Sequence, residues 1–314
     1  MNPDYASIEA LNWSTLRHLA TSALLLQWRA DHPQPDSRAM MLGRAIHCAV
    51  LEPERWASDY IVEPDFGNLN SNAAKAERAA WLAEIAPGQL VARPCFDARK
   101  KDDKAARAAF FTGLPEGATV VVGDEDAVDL LGAGVEVLPA DDHALATRCA
   151  EAVRSHPVAA DMLSGGRAEE IVTWTDDEFG IPCKARMDFI TPRFVLDLKS
   201  SRADSLRAIS REFAGRMYHG QLAMYHDGAV AARAINGDDT PRAIVVQTVE
   251  PYDVVPARLM RGDLDRGRSL YRSLMRQYVE CQAAGWWPGL APGLVDLDLP
   301  AWAPGGDAET EVEW

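Results

Sequence analysis

One stretch of the chain, EEIVTWTDDEFGIPCKARMDFITPRFVLDLKS at residues 169–200, limits the fold more than any other. Its side chains follow the period of two that strands require, and two turn signals, TDDEFG and TPR, cut it into three runs. Three successive strands joined by tight turns make an antiparallel meander. The segments around it carry the helical period instead.

Upstream, NWSTLRHLATSALLLQWRA reads as one helix capped by Asn12 or Ser14, and RAMMLGRAIHCAVLEPERW as a second. Gly43 in the second helix is costly in a helix interior, so close packing is expected there. DDHALATRCAEAVRSHPVAADML is helical with a break at His156–Pro157. Downstream, ADSLRAISREFAG and YHGQLAMYHDGAVAARAI are helical, and RAIVVQTVEPYDVVPARL supplies one or two strands. RGDLDRGRSLYRSLMRQYVECQAAG is a long final helix. This order predicts an α/β (α+β) fold with a mixed central sheet flanked by helices.

Residues 1–285 are expected to form a single domain, with 60–140 as a helical and basic elaboration and 286–314 as an acidic tail rich in Pro and Gly. Within the elaboration, EPDFGNLNSNAAKAERAAWLAEIAPGQLV resembles RPCFDARKKDDKAARAAFFTGLPEGATVV. A duplicated unit and the chance likeness of two Ala-rich helices both explain this.

The formal net charge is -15, which argues against a general nucleic-acid coat but not against a local basic patch. Part of that charge belongs to the tail, because seven acids and no Lys or Arg follow Arg276. The stretch RPCFDARKKDDKAAR is the strongest local basic run. The five cysteines are scattered, with no CxxC pair, which fits a reducing compartment. With neither a secretory signal nor an apolar run of membrane-spanning length, a soluble cytoplasmic protein is expected. No glycine-rich phosphate loop follows a strand.

The chemistry gathers at the end of the meander. Asp197 and Lys199 lie two apart on a strand and share a face. Asp188 lies near the end of the preceding strand, on a face with Lys184 and Arg186, while Cys183, Ala185, Met187 and Phe189 form the opposite, core-facing set. Two neighbouring carboxylates repel unless a proton or cation lies between them, and a hard divalent cation prefers oxygen ligands. A lysine beside them can orient or deprotonate water and stabilise charge building on a phosphate. A strand-edge salt bridge is the plain alternative for an isolated D-x-K pair.

The hairpin-acid-x-lysine arrangement resembles the PD-(D/E)XK nuclease superfamily, Asp188 matching the first acid and Asp197-Leu198-Lys199 the D/E-x-K; Met187 stands where that pattern has proline. GRAIH is similar to the G-x-x-x-H, and QLAMY to the Q-x-x-x-Y, of the RecB-like and exonuclease VIII (RecE)-like branch. MLGRAIHCAVLEP, SHPVAADML and CKARMD before DLKS also resemble exonuclease VIII-like domains, in the same order. The likeness runs from about Ser14 to Tyr225, loosely between Leu90 and Pro139.

The resemblance implies a restriction-endonuclease-like core and a Mg²⁺- or Mn²⁺-dependent exodeoxyribonuclease. His47, Asp188, Asp197 and the Leu198 carbonyl would hold the metal, and Lys199 would assist the attacking water. Gln221 and Tyr225 would support the site or touch the DNA backbone. An upstream glutamate joins such sites, and Glu169 fits the spacing better than Glu170, although strand faces leave both open. The implied substrate is double-stranded DNA with a free end, digested 5′-to-3′ in recombination or repair. A single-strand annealing protein is an implied partner, and a homo-oligomer, ring-shaped in relatives, is an implied assembly. Candidate phosphate contacts are Arg93, Arg99, Lys100, Lys101, Lys104 and Arg107 in the basic run, and Lys184, Arg186, Arg202, Arg207 and Arg211 along the path near the metal. A structure-specific or single-strand nuclease on the same core, or an inactive DNA-binding module, are the alternatives.

Overall fold

The computed structural model describes residues 5–32, 37–68, 70–85, 90–92, 119–121, 136–291 and 293–300. The chain folds as a mixed α/β structure around a five-stranded sheet. Its strands are β5 (Arg167–Thr175), β6 (Pro182–Ile190), β7 (Val195–Ser201), β8 (Arg242–Gln247) and β9 (Val254–Arg258), ordered in space as in sequence. The meander expected from residues 169–200 is present, with β5, β6 and β7 antiparallel. β8 runs parallel to β7, so the chain crosses between them through two helices, and β9 returns antiparallel.

Short parallel pairs lie outside this sheet: β1 (Tyr60–Val62) with β4 (Glu136–Leu138), and β2 (Leu90–Ala92) with β3 (Thr119–Val121). β2 and β3 end the two similar stretches of the elaboration, and they pair with each other. The first stretch also forms helix α5 (Asn72–Ile85). The basic run of the second stretch, with Arg99, Lys100, Lys101 and Lys104, lies outside the described residues.

Helices cover both faces. On one, α3 (Arg38–Leu51) and α6 (Ala140–Ser155) place Ile46, Ala49, Cys149 and Val153 against Leu196, Leu198, Ile244 and Val246. α6 ends before Pro157, and α7 (Pro157–Met162) starts there, as the X-Pro step requires. On the other face, α9 (Tyr218–Ala231) sends Ala229 to Val172, Ala185, Met187 and Val195. Helix α10 (Arg261–Ala284) packs behind α9 through Leu264, Tyr271 and Met275. α8 (Leu206–Gly215) precedes α9. The four described cysteines, Cys48, Cys149, Cys183 and Cys281, are free and buried. Among the described residues no helix is long and apolar enough to cross a membrane.

Three expectations change. The first helix is broken into α1 (Trp13–Leu16), a 3-10 turn, and α2 (Ala23–Asp31), because the Ser22 hydroxyl accepts from Leu25 N and starts a new helix. Asn12, not Ser14, caps α1 by accepting from Thr15 N at 2.9 Å. Gly43 faces open space; the close approaches belong to Gly220 against Trp13, Gly228 against Trp174 and Gly267 against the His219 carbonyl. Finally, Phe189 leaves the Cys183–Met187 face and packs with Leu196 and Leu198, while Ile190 takes its place beside Met187. The side-chain alternation therefore slips beside Asp188. (α4, Pro53–Asp59, completes the helices before β1.)

Candidate metal centre

The slip marks where β6 and β7 part. Their ladder holds Ile190 opposite Val195 and Phe189 opposite Leu196, and then stops. Beyond it the Asp188 carboxylate stands in for a backbone partner, accepting from Leu198 N at 2.7 Å. β6 continues with β5, while β7 continues with β8. The gap between the diverging strands is reached by α3 from one face of the sheet and by α9 from the other.

From α3, His47 Nδ1 comes to 3.6 Å from Asp188 Oδ2. From β5, Glu169 joins them, and one ligand atom from each of His47, Glu169 and Asp188 lies within 4.8 Å of the others. Glu169 is opposite Asp188 by register, but the backbone ladder skips this pair, and Glu169 adopts φ 50°. A left-handed conformation at a non-glycine strand residue costs on the order of 1–2 kcal/mol, so the neighbourhood must hold it in place. This conformation turns the Glu169 carboxylate to the cluster and resolves the choice between Glu169 and Glu170. Glu170 instead pairs with Arg167 at 3.2 Å.

Asp197 adjoins this cluster, joined to Asp188 by a side-chain hydrogen bond. Its Oδ1 accepts from Gln221 Nε2 at 3.2 Å, and its Oδ2 is 2.7 Å from Lys199 Nζ. Tyr225 shares a side-chain hydrogen bond with Gln221. The Q-x-x-x-Y spacing thus delivers two residues to the second acid. Tyr218, absent from the sequence-based site, places its ring 4.7 Å from the Lys199 ammonium. The signal was available: Tyr218, Gln221 and Tyr225 fall at i, i+3 and i+7 on one helical stripe.

Of the basic candidates, Arg186 is half-exposed and pairs with Glu169 at 3.0 Å. Arg202 is exposed just past the end of β7. Lys184 does not face solvent as expected. It is buried, and Nζ donates to the carbonyls of Tyr5 at 2.8 Å and Ile8 at 2.7 Å. The N-terminal segment runs beside β6, with Leu11 N donating to Pro182 O and Lys184 N to Leu11 O, and it covers this end of the strand.

Burial and the Lys199 charge push the His47 imidazole down to about 4, so it is a neutral nitrogen donor at physiological pH. Burial raises Asp188, raises Asp197 to about 6 and, with the Asp188 charge adding, raises Glu169 to about 7. A hydrogen bond with the Leu198 backbone favours the charged imidazole, which identifies the Leu198 carbonyl as its partner.

This donor set fits a hard divalent cation: two carboxylates, an imidazole and a nearby carbonyl. Octahedral ligands about 2.1 Å from Mg²⁺ are separated by about 3 to 4 Å, so the cluster closes on such an ion with small side-chain shifts. Asp197 Oδ2 is buried 2.7 Å from the Lys199 ammonium, and the Asp188–Asp197 hydrogen bond keeps this second acid next to the cluster.

The carboxyl groups hold their protons more tightly folded than unfolded. Their stabilising contribution is complete below the ordinary carboxylate range and is lost as pH rises through about 6 for Asp197 and about 7 for Glu169. Metal-free protein should therefore lose about 1 kcal/mol more stability between about pH 5 and about pH 7.5 than its Asp197→Asn variant. Denaturant unfolding at both pH values reads this, and equal losses would contradict it.

Residues 134–295 match a family model described as "PDDEXK-like domain of unknown function (DUF3799)". The matched region carries Glu169, Asp188, Asp197, Lys199, Gln221 and Tyr225, while His47 lies outside it. No curated protein matches. Among solved structures, a crystal structure named "Putative exonuclease" from Eubacterium rectale is similar in fold at 12% identity, with a TM-score of 0.51 over 90% of this chain and 88% of that one. With the family match spanning more than half of the sequence and the fold agreeing, the chain belongs to this PDDEXK-like domain family and is a distant relative of the PD-(D/E)XK nucleases.

Proposed function

We propose that the protein is a Mg²⁺- or Mn²⁺-dependent deoxyribonuclease that degrades linear double-stranded DNA from a free end, 5′-to-3′, in recombination or repair. The observation that carries the reading is the meeting of His47, Glu169 and Asp188, from a helix and two strands, beside the Asp197–Lys199 pair. The preference for DNA ends, and the polarity, rest on the resemblance of the GRAIH, SHPVAADML, CKARMD–DLKS and QLAMY sequences to exonuclease VIII-like domains. A homo-oligomer around the product strand and a single-strand annealing partner, in the cytoplasm, extend the proposal on the same basis.

His47, Glu169, Asp188 and the Leu198 carbonyl would hold the cation, with Asp197 in reach. When bound, the cation supplies Lewis acidity and offsets negative charge at the phosphate. Lys199 keeps its proton, because the Asp197 and Asp188 charges raise its pKa against the effect of burial. As an ammonium it would orient a water and stabilise charge on the phosphoryl oxygens. Gln221 and Tyr225 fix Asp197, and the Tyr218 ring supports the ammonium.

Digestion of end-labelled linear duplex, closed circles and single strands with Mg²⁺, Mn²⁺ or EDTA tests this. The proposal requires metal-dependent release of nucleotides from the 5′ strand of the linear duplex alone. Cutting of closed circles would replace it with an endonuclease, and inactivity with retained DNA affinity would replace it with a binding module.

A further inference from the structure

We infer that the segment from the end of β7 through α8 is a phosphate track for the backbone of the DNA strand being cut, formed by Arg202, Arg207 and Arg211. This deepens the nuclease reading and rests on it. In this acid-rich chain arginines commonly answer to acids, as Arg38 does to Asp142, Arg55 to Glu52 and Asp59, Arg268 to Asp227, and Arg272 to Glu178. Arg202, Arg207 and Arg211 are exposed and make no ion pair or side-chain hydrogen bond among the described residues. Arg207 and Arg211 are four apart, one above the other on α8, while Ile209 is turned into the core.

The guanidinium groups are free, but the backbone that presents them is fixed. Ser205 caps α8 through Ala208 N. Ser201 Oγ donates to Glu212 Oε2 at 2.5 Å, tying the strand end to the helix. Gln247 Nε2 donates to Ala203 O at 2.7 Å, and Thr248 N to Ser201 O at 2.9 Å, so β8 holds the loop from the other side.

This unit also seats the catalytic lysine. Arg202 is three residues past Lys199, and Phe213 of α8 meets the Tyr218 ring edge-on at 5.2 Å, the same ring that lies under the Lys199 ammonium. Unpaired guanidinium forks presented from a rigid element suit successive phosphate groups. Arg202 follows Lys199 by three residues and α8 touches the Lys199 seat through Phe213 and Tyr218, so a backbone bound along this unit would lead toward the metal cluster.

The test measures equilibrium binding of the full chain to a short blunt duplex in Ca²⁺ over a range of salt, for wild type, the Arg202→Gln/Arg207→Gln/Arg211→Gln triple variant, and Arg266→Gln. Arg266 is an exposed arginine already paired with Asp263. Losing three phosphate contacts should flatten the log K against log salt slope by about 2 to 3 in the triple variant and leave Arg266→Gln unchanged. The KM for DNA should rise while kcat at saturation stays within about threefold, the expected pattern for a binding contact. The Mn²⁺-induced shift in melting temperature should match wild type, showing an intact fold and metal site. Inorganic phosphate at matched ionic strength should compete poorly with wild type, because the track reads a chain of phosphates; strong competition by free phosphate would overturn the track. If the triple variant fails to fold, Arg207→Gln and Arg211→Gln should each flatten the slope by about 1. An unchanged slope with wild-type cleavage intact overturns the track and leaves the nuclease reading standing. A flattened slope in a protein that cleaves nothing supports the track and sinks that reading instead.

Discussion

Replacing Lys199 with alanine should slow DNA cleavage by about 10²–10³-fold, the usual loss when a preorganised charge at a reacting phosphate is removed. The size follows from its surroundings. Lys199 Nζ is 2.7 Å from Asp197 Oδ2, 17% of its side chain is exposed, and it sits over the Tyr218 ring. No other described ammonium or guanidinium pairs with Asp197. Single-turnover cleavage at saturating DNA, alongside Mn²⁺ titration, separates the roles. The variant should bind Mn²⁺ within a few-fold of wild type while losing the rate; cleavage within threefold of wild type would remove Lys199 from the chemistry.

The second large effect concerns His47 and Asp188. Changes to groups that merely orient metal ligands commonly cost about 10–100-fold in affinity, so His47→Ala and Asp188→Asn should each weaken Mn²⁺ binding by at least about 100-fold. His47 supplies a neutral imidazole, since burial and the Lys199 charge push its pKa to about 4. Asp188 is also structural: its Oδ2 accepts from Leu198 N at 2.7 Å. Asparagine keeps the shape and an acceptor but loses the charge, so Asp188→Asn tests the ligand role with less damage to the strand junction than alanine. Calorimetric Mn²⁺ titration of both variants is the check, with unaltered affinity as the contrary result.

Much of the architecture was legible because it rests on local rules. The meander followed from two turn signals and a period of two, and the break before Pro157 from the X-Pro restriction. The Asp188, Asp197 and Lys199 placements followed from adjacent strands, and His47 from the GRAIH resemblance. What stayed hidden depends on contacts between distant parts of the chain. Lys184 shares a strand face with Arg186 on paper, yet the carbonyls of Tyr5 and Ile8, far away in sequence, bury it. Asp188 and Asp197 share a side-chain hydrogen bond, yet their other partners differ: Asp188 meets His47 and Glu169, while Asp197 meets Gln221 and Lys199, and strand alternation does not express that division of partners. Glu169 was ambiguous for the same reason, because its φ of 50° breaks the alternation on which a strand-face choice depends. Gly43 shows the converse failure. A helix-interior glycine predicts close packing, but a Cβ there would meet nothing within 4 Å.

The central claim is that His47, Glu169 and Asp188 grip one divalent cation in the gap between the diverging strands. Anomalous diffraction from crystals soaked in Mn²⁺ tests it most directly. The account predicts a manganese peak within about 2.0–2.3 Å of a His47 ring nitrogen and of oxygens from Glu169 and Asp188, absent in Asp188→Asn crystals. Crystals of the wild type that hold no manganese there at saturating concentration, or that hold it at a different set of side chains, would contradict it.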